Sequence, residues 1–175
     1  MSTNPRIRQK SITTQAEATL RSYLEHSLRT RFNANPCKPH CWFYYGLYDF
    51  VLQEGRFFSL RPRTGDTQRE AAGESFVNAV MNAAAKELEY VEGYAVRESF
   101  SSPVLHAWNS DDDGFVVDTT WQPLGIAYFG VVIPRAVVLA TRDARVPIGS
   151  SIDNWRQHWP LLRRPWRKTL AESAF

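Results

Sequence analysis

Three residues of this chain have the types and the order of a nucleophile, a base and the carboxylate that orients the base: Ser75, His106 and Asp118. A hydroxyl or thiol attacks a carbonyl carbon well only when a neighbouring base takes its proton, and a histidine does this best when an acceptor holds its ring in one tautomer. The chemistry of such a set is acyl transfer, with attack on an amide, thioester or isopeptide carbonyl, a covalent acyl intermediate, and release to water or an amine. The acceptor is chosen by the cleft and not by the three residues, so peptidase, deamidase and transglutaminase chemistry all fit. Each residue also has a plain structural role. Ser75 can cap a helix, His106 can sit in a core, and Asp118 can cap the turn before Thr119 and Thr120.

The elements around these residues must bring them together. Asn109-Ser-Asp-Asp-Asp-Gly114 has hairpin-turn chemistry, with Gly114 free to take a positive φ. Centring that turn on Asp112 makes His106 and Asp118 direct cross-strand neighbours, with Asp118 accepting the ring proton. Ser75 opens the Ala-rich helix former Ser75-Phe-Val-Asn-Ala-Val-Met-Asn-Ala-Ala-Ala-Lys, two residues after Gly73. The helix dipole and free N–H groups there favour negative charge developing on nucleophile and substrate. The backbone N–H of Ser75 is one oxyanion donor, and Gln68, Asn78, Trp42 or Trp108 is a candidate for the second donor or for the cleft wall. Trp121, Tyr94 and Phe76 either line that cleft or belong to the sheet core.

His106-Ala-Trp-Asn, followed by Gly114-Phe-Val-Val-Asp118-Thr-Thr-Trp121, resembles the signature of transglutaminase-like proteins, within the wider papain-like Cys-His-Asp group. Tyr90-Val-Glu-Gly-Tyr-Ala95 stands where that family has the strand between the nucleophile helix and the histidine. The resemblance covers roughly residues 73–121. It implies an α+β fold with a transglutaminase-like or papain-like core and a protein or peptide substrate, with Ser75 at the cysteine's position. The sequence carries no phosphate loop, dinucleotide fingerprint or convincing metal cluster, so no cofactor is expected. The serine is a departure, because a thiol can be lowered to a pKa of about 3.5–7.5 and attack as thiolate, whereas a hydroxyl stays protonated. Three explanations fit: an engineered Cys-to-Ser change, a natural serine hydrolase, or a pseudoenzyme that kept the cleft.

Along the chain, Thr14 and Glu17 form a capping box for a helix to about Phe32, with Ala18, Leu20, Tyr23, Leu24 and Leu28 as its apolar stripe. The aromatic run from Pro39 to about Gln53 predicts a second helix ended by Gly55. A strand around 57–60 follows, then a polar loop over 61–73. Strands are expected at 88–96, 103–109 and 115–121, consecutive and antiparallel, with a fourth at about 127–132. Pro134 opens a short helix that ends before Pro147, and a last helix starts at Ser150 or Ser151 and stops at Pro160. The order is α+β, in one domain spanning 1–175.

The 175 residues, 43% hydrophobic and 22% charged, have the balance of a globular chain. The longest apolar run, Ile126–Ile133, is far short of the roughly 20 residues of a membrane helix, and no signal core follows Met1. The expectation is a cytoplasmic protein with no membrane partner. Cys37-Lys-Pro-His40-Cys41 offers three soft ligands where a structural zinc needs four, so no metal is assigned. The net charge of +3 is small, but basic residues and tryptophans gather in segment 150–175: Trp155, Arg156, Trp159, Arg163, Arg164, Trp166, Arg167 and Lys168. Such a segment either binds single-stranded nucleic acid or packs its tryptophans on the core with arginines snorkelling outward. A catalytically inert module that binds protein or nucleic acid is therefore the second reading.

Overall fold

The computed structural model describes residues 5–61, 70–100, 102–140 and 148–165. The fold is α+β. Helix α1 (Pro5–Ala34) is followed by α2 (Leu47–Glu54), β1 (Arg56–Phe57), α3 (Ser75–Lys86), β2 (Glu89–Val96), β3 (Val104–Ser110), β4 (Val116–Val117), β5 (Ala127–Val132) and α4 (Arg135–Ala140). The strands form one antiparallel sheet in the order β1-β5-β2-β3-β4. The consecutive pairing expected from sequence holds for β2, β3 and β4. β5 instead returns to the other side of β2, so that β2 is central and buried on both faces.

Ser59 bridges Phe115, and Val116 N donates to Ser59 O at 3.0 Å. The continuation of one sheet edge thus meets the other, and the sheet curls. Its concave face holds Phe58, Val91, Ala95, Trp108, Val116, Trp121 and Tyr128. The alternate residues Tyr90, Tyr94, Ala107, Phe129 and Val131 point outward and pack under the helices. Gly93 and Gly130 lie side by side across β2 and β5, and the Trp108 ring lies over Gly130. A Cβ on Gly93 would stand 2.3 Å from Phe129 O and 2.4 Å from Gly130 Cα, both backbone atoms that cannot step aside. Gly93→Ala is expected to destabilise the fold by about 3 kcal/mol or more, read as a lowered urea midpoint with unchanged slope.

Three helix expectations change. α1 covers Pro5–Ala34, so Thr14 lies well inside it and is no N-cap. Its buried stripe is Ala16, Leu20 and Leu24, while Ala18 is exposed. α2 starts at Leu47 and not near Pro39, because Gly46 takes φ 153°, a conformation only glycine adopts easily, and so begins the helix there. Gly55 ends it as expected, its N–H donating to Val51 O at 2.9 Å.

The helix expected from Ser150 or Ser151 is absent. Two short 3-10 turns, Trp155–Gln157 and Pro160–Leu162, take its place, separated by His158 and Trp159 at φ 57° and 51°. The positive φ of His158 and Trp159, followed by the ring of Pro160, interrupts a right-handed helix here. Glu92, fully buried, accepts hydrogen bonds from the N–H groups of Ser151 (2.9 Å) and Ile152 (3.0 Å), from the Ser150 hydroxyl, and from the Tyr90 hydroxyl (2.9 Å). The Ser150, Ser151 and Ile152 donors tie residues 150–152 to the central strand. Burial pushes the Glu92 carboxyl above its ordinary value, against the opposing pull of those four donors. Further on, Leu162 O accepts the N–H groups of Phe43 and Tyr44, tying segment 148–165 to the chain ahead of α2.

Candidate active site

β3 and β4 pair Asn109 with Val117 and Ser110 with Val116, which centres the hairpin on Asp113, one residue later than expected. Asp111 closes the turn, accepting Phe115 N at 2.8 Å through its side chain and Gly114 N at 2.9 Å through its backbone. His106 and Asp118 are consequently diagonal and not directly opposed. A one-residue shift of the centre moves each partner by two positions, so the side chains stay on the same face. They still meet: His106 Nε2 and Asp118 Oδ2 are 2.8 Å apart, with His106 3% and Asp118 4% exposed.

Asp118 is held by donors on both oxygens. Oδ1 accepts the N–H groups of Thr120 (2.9 Å) and Trp121 (3.2 Å), and Oδ2 accepts the Tyr128 hydroxyl (2.9 Å) as well as His106. The Tyr128 oxygen in turn accepts Gly125 N at 2.8 Å. Burial, and then the Asp118 charge beside it, push the Tyr128 hydroxyl well above its ordinary value, so it stays a donor. With Asp118 accepting, the ring proton of neutral His106 belongs on Nε2, leaving Nδ1 as the basic nitrogen. Nδ1 has no hydrogen-bond partner among the described residues. The His106 ring stacks on Trp121 at 4.0 Å between centroids, which leaves it little freedom to turn.

Ser75 is the first residue of α3, after Glu74 as N-cap, and is 6% exposed. Its hydroxyl makes no hydrogen bond among the described residues, to His106 or otherwise. The body of α3 lies on the convex side of the sheet: Asn109 Nδ2 donates to Ala79 O at 2.8 Å, while His106 points to the concave side. What joins the two is the turn 118–121, which rounds the sheet edge beyond the short β4. Asn78 Nδ2 donates to Thr120 Oγ1 at 3.0 Å, and Asn82 Nδ2 to Thr119 Oγ1 at 3.1 Å. Glu70 Oε2 accepts from both Asn82 (2.7 Å) and Thr119 (2.6 Å). The first turns of the Ser75 helix are thus bolted to the segment that carries Asp118.

The other candidates sort clearly. Asn78 uses both amide protons, on Ala71 O (2.9 Å) and Thr120, so it fastens the helix and has none left for an oxyanion. Trp108 lies on the His106 face, and its Nε1 is buried without a partner among the described residues. Gln68 lies outside the described residues. Trp42 packs against Trp159 at 5.3 Å, away from the sheet's concave face. Trp121 supports His106, whereas Tyr94 and Phe76 belong to the core under the helices. Cys37 and Cys41 are exposed free thiols. In the basic segment Trp155 is 57% exposed with Arg156 stacked on it at 4.7 Å, and Trp159 donates through Nε1 to Asp153 at 2.9 Å; Trp166, Arg167 and Lys168 lie outside the described residues.

Tyr128, Asn82 and Glu70 were not singled out by sequence reasoning. Tyr128 could have been found, since strand alternation from the buried run Ala127–Val132 places it on the face opposite Phe129. Glu70 sits in a polar loop with no periodicity to give it away. Among the described residues no helix is long and apolar enough to cross a membrane. No family model, curated protein or solved structure matches this chain.

Proposed function

We propose that this chain is an acyl-transfer protein of the transglutaminase-like or papain-like kind, acting as hydrolase or transferase on an amide, isopeptide or thioester bond. The observation that carries this reading is the buried His106–Asp118 pair, with its basic Nδ1 uncommitted. In this reading substrate binding brings Ser75 Oγ, which makes no hydrogen bond to His106 among the described residues, within reach of Nδ1, and it gives its proton there as it attacks the carbonyl carbon. The imidazolium, steadied by Asp118, returns that proton to the leaving amine or thiol as the tetrahedral adduct collapses to an acyl-serine. Water or an amine, deprotonated by Nδ1, then takes the acyl group and restores the hydroxyl. The start of α3 favours the charge that develops.

The second reading, an inert scaffold that binds protein or nucleic acid, is favoured by one specific observation: no hydrogen bond joins Ser75 to His106 among the described residues. Incubating the chain with a fluorophosphonate or with p-nitrophenyl acetate and mapping adducts by mass spectrometry decides between the two. A Ser75 adduct that disappears in His106→Ala is the expected result. An unlabelled Ser75, with salt-sensitive binding of single-stranded RNA or DNA that Trp155→Ala abolishes, would replace it with the second reading.

A further inference from the structure

Next to Trp121 the surface sinks into a cavity of about 160 Å³ lined by Arg97, Glu98, Ser99, Pro123 and Leu124. It is smaller than the roughly 300–1,000 Å³ of sites that enclose a whole small molecule, so it suits one group of a longer substrate. Arg97 is fixed at its wall. Nη2 donates to Gln122 O at 3.1 Å, and the guanidinium lies 5.9 Å from the ring centres of both Phe100 and Trp121.

A guanidinium has five N–H donors in a planar fork, and one carbonyl leaves most of that fork unused. Among the described residues Arg97 makes no ion pair with a carboxylate. Glu98 stands at the same wall but is exposed, and neither ring nor hydrogen bond holds it in place among the described residues. The one restrained charge of the cavity is therefore positive. That charge also reaches the reacting centre: Arg97 acts on the Tyr128 hydroxyl in the direction opposite to Asp118, and Trp121, which Arg97 covers, is the ring stacked on His106.

We infer that Arg97 is the specificity residue of this site and that the substrate carries a carboxylate close to the carbonyl that is attacked, such as an acidic side chain or a terminal carboxylate of a peptide. This rests on the acyl-transfer reading. The cavity takes the carboxylate in the guanidinium fork, with Pro123 and Leu124 against the carbon chain that bears it.

The Ser75→Cys protein tests this without a known substrate, because iodoacetate and iodoacetamide deliver the same alkyl group with and without a carboxylate. The rates of labelling at residue 75 are read by peptide mass spectrometry, and the exposed Cys37 and Cys41 in the same molecule give the reference. The iodoacetate-to-iodoacetamide ratio at residue 75 is expected to exceed that at Cys37 and Cys41 and to fall about five- to tenfold in Arg97→Gln. Salt at about 0.5 M is expected to reduce it, and Arg97→Lys to keep part of the preference. A ratio that Arg97→Gln leaves unchanged, with residue 75 still labelled in a His106-dependent way, overturns the role of Arg97 and leaves the acyl-transfer reading standing. Residue 75 reacting no faster than Cys37 with either reagent overturns both.

Discussion

Alkylation of the Ser75→Cys protein by iodoacetamide is expected to slow by about a hundredfold or more when Asp118→Asn is added, the scale of a lost general base. Every partner of Asp118 donates to it. An asparagine keeps one acceptor oxygen and must turn its NH₂ either toward His106 and Tyr128 or toward the N–H groups of Thr120 and Trp121. The backbone pair cannot move, whereas the imidazole can change tautomer and the Tyr128 hydroxyl can rotate. The amide therefore faces His106, Nε2 becomes the acceptor, the proton moves to Nδ1, and the nitrogen that should receive the nucleophile's proton is blocked. The cost in stability is expected to be modest, about 1–3 kcal/mol, because most donors keep a partner. Rapid labelling of residue 75 in the protein carrying Asp118→Asn would mean that His106 is not its base.

Glu92→Ala, on the opposite face of the sheet, should have the larger effect on the fold. The Ser150 and Tyr90 hydroxyls can turn elsewhere, but the N–H groups of Ser151 and Ile152 would be left buried with no acceptor, at about 1–3 kcal/mol each, in addition to the space the side chain leaves. A loss of about 3–5 kcal/mol lowers the melting temperature by roughly 10 °C in a chain of this size. The pH dependence has a definite sign. Burial holds Glu92 above its ordinary value of 4.5, so the folded chain binds that proton more tightly than the unfolded chain. This contribution is complete below about pH 4.5 and is lost as pH rises through the raised folded value. Urea midpoints measured between pH 4 and 8 should show that decline in the parent protein and not in Glu92→Ala. A flat parent profile would show that the four donors cancel the effect of burial, and a rising one that they outweigh it.

Sequence pattern located the elements of the site better than their joins. The run Ala127–Val132, the helix opening at Ser75 and the Asp118–His106 contact all follow from alternation and turn chemistry, which act over a few residues. The hairpin centre was missed by one residue because three consecutive aspartates offer near-equal turn positions, and Arg61, 3.0 Å from Asp113 and 3.4 Å from Asp111, helps choose between them from about 50 residues earlier in the chain. The start of α2 depends on one glycine conformation. The missing terminal helix is interrupted by positive φ at His158 and Trp159, residue types that give no such signal in sequence. The failure to foresee β5 beside β2 has another origin, since both its neighbours are distant in sequence.

The Glu92 clamp also has a consequence for the order in which the protein can mature. Its backbone and Ser150 donors lie 58 to 60 residues farther along the chain, so a ribosome completes the central strand long before it makes the groups that satisfy that strand's carboxylate. Until residues 150–152 emerge, the convex face carries an acid that must stay hydrated or protonated, and the helices cannot close dry upon it. A nascent chain of this protein should reach its reactive form late, after residues 150–152 have left the ribosome, and a fragment cut before Ser150 should neither pack nor react.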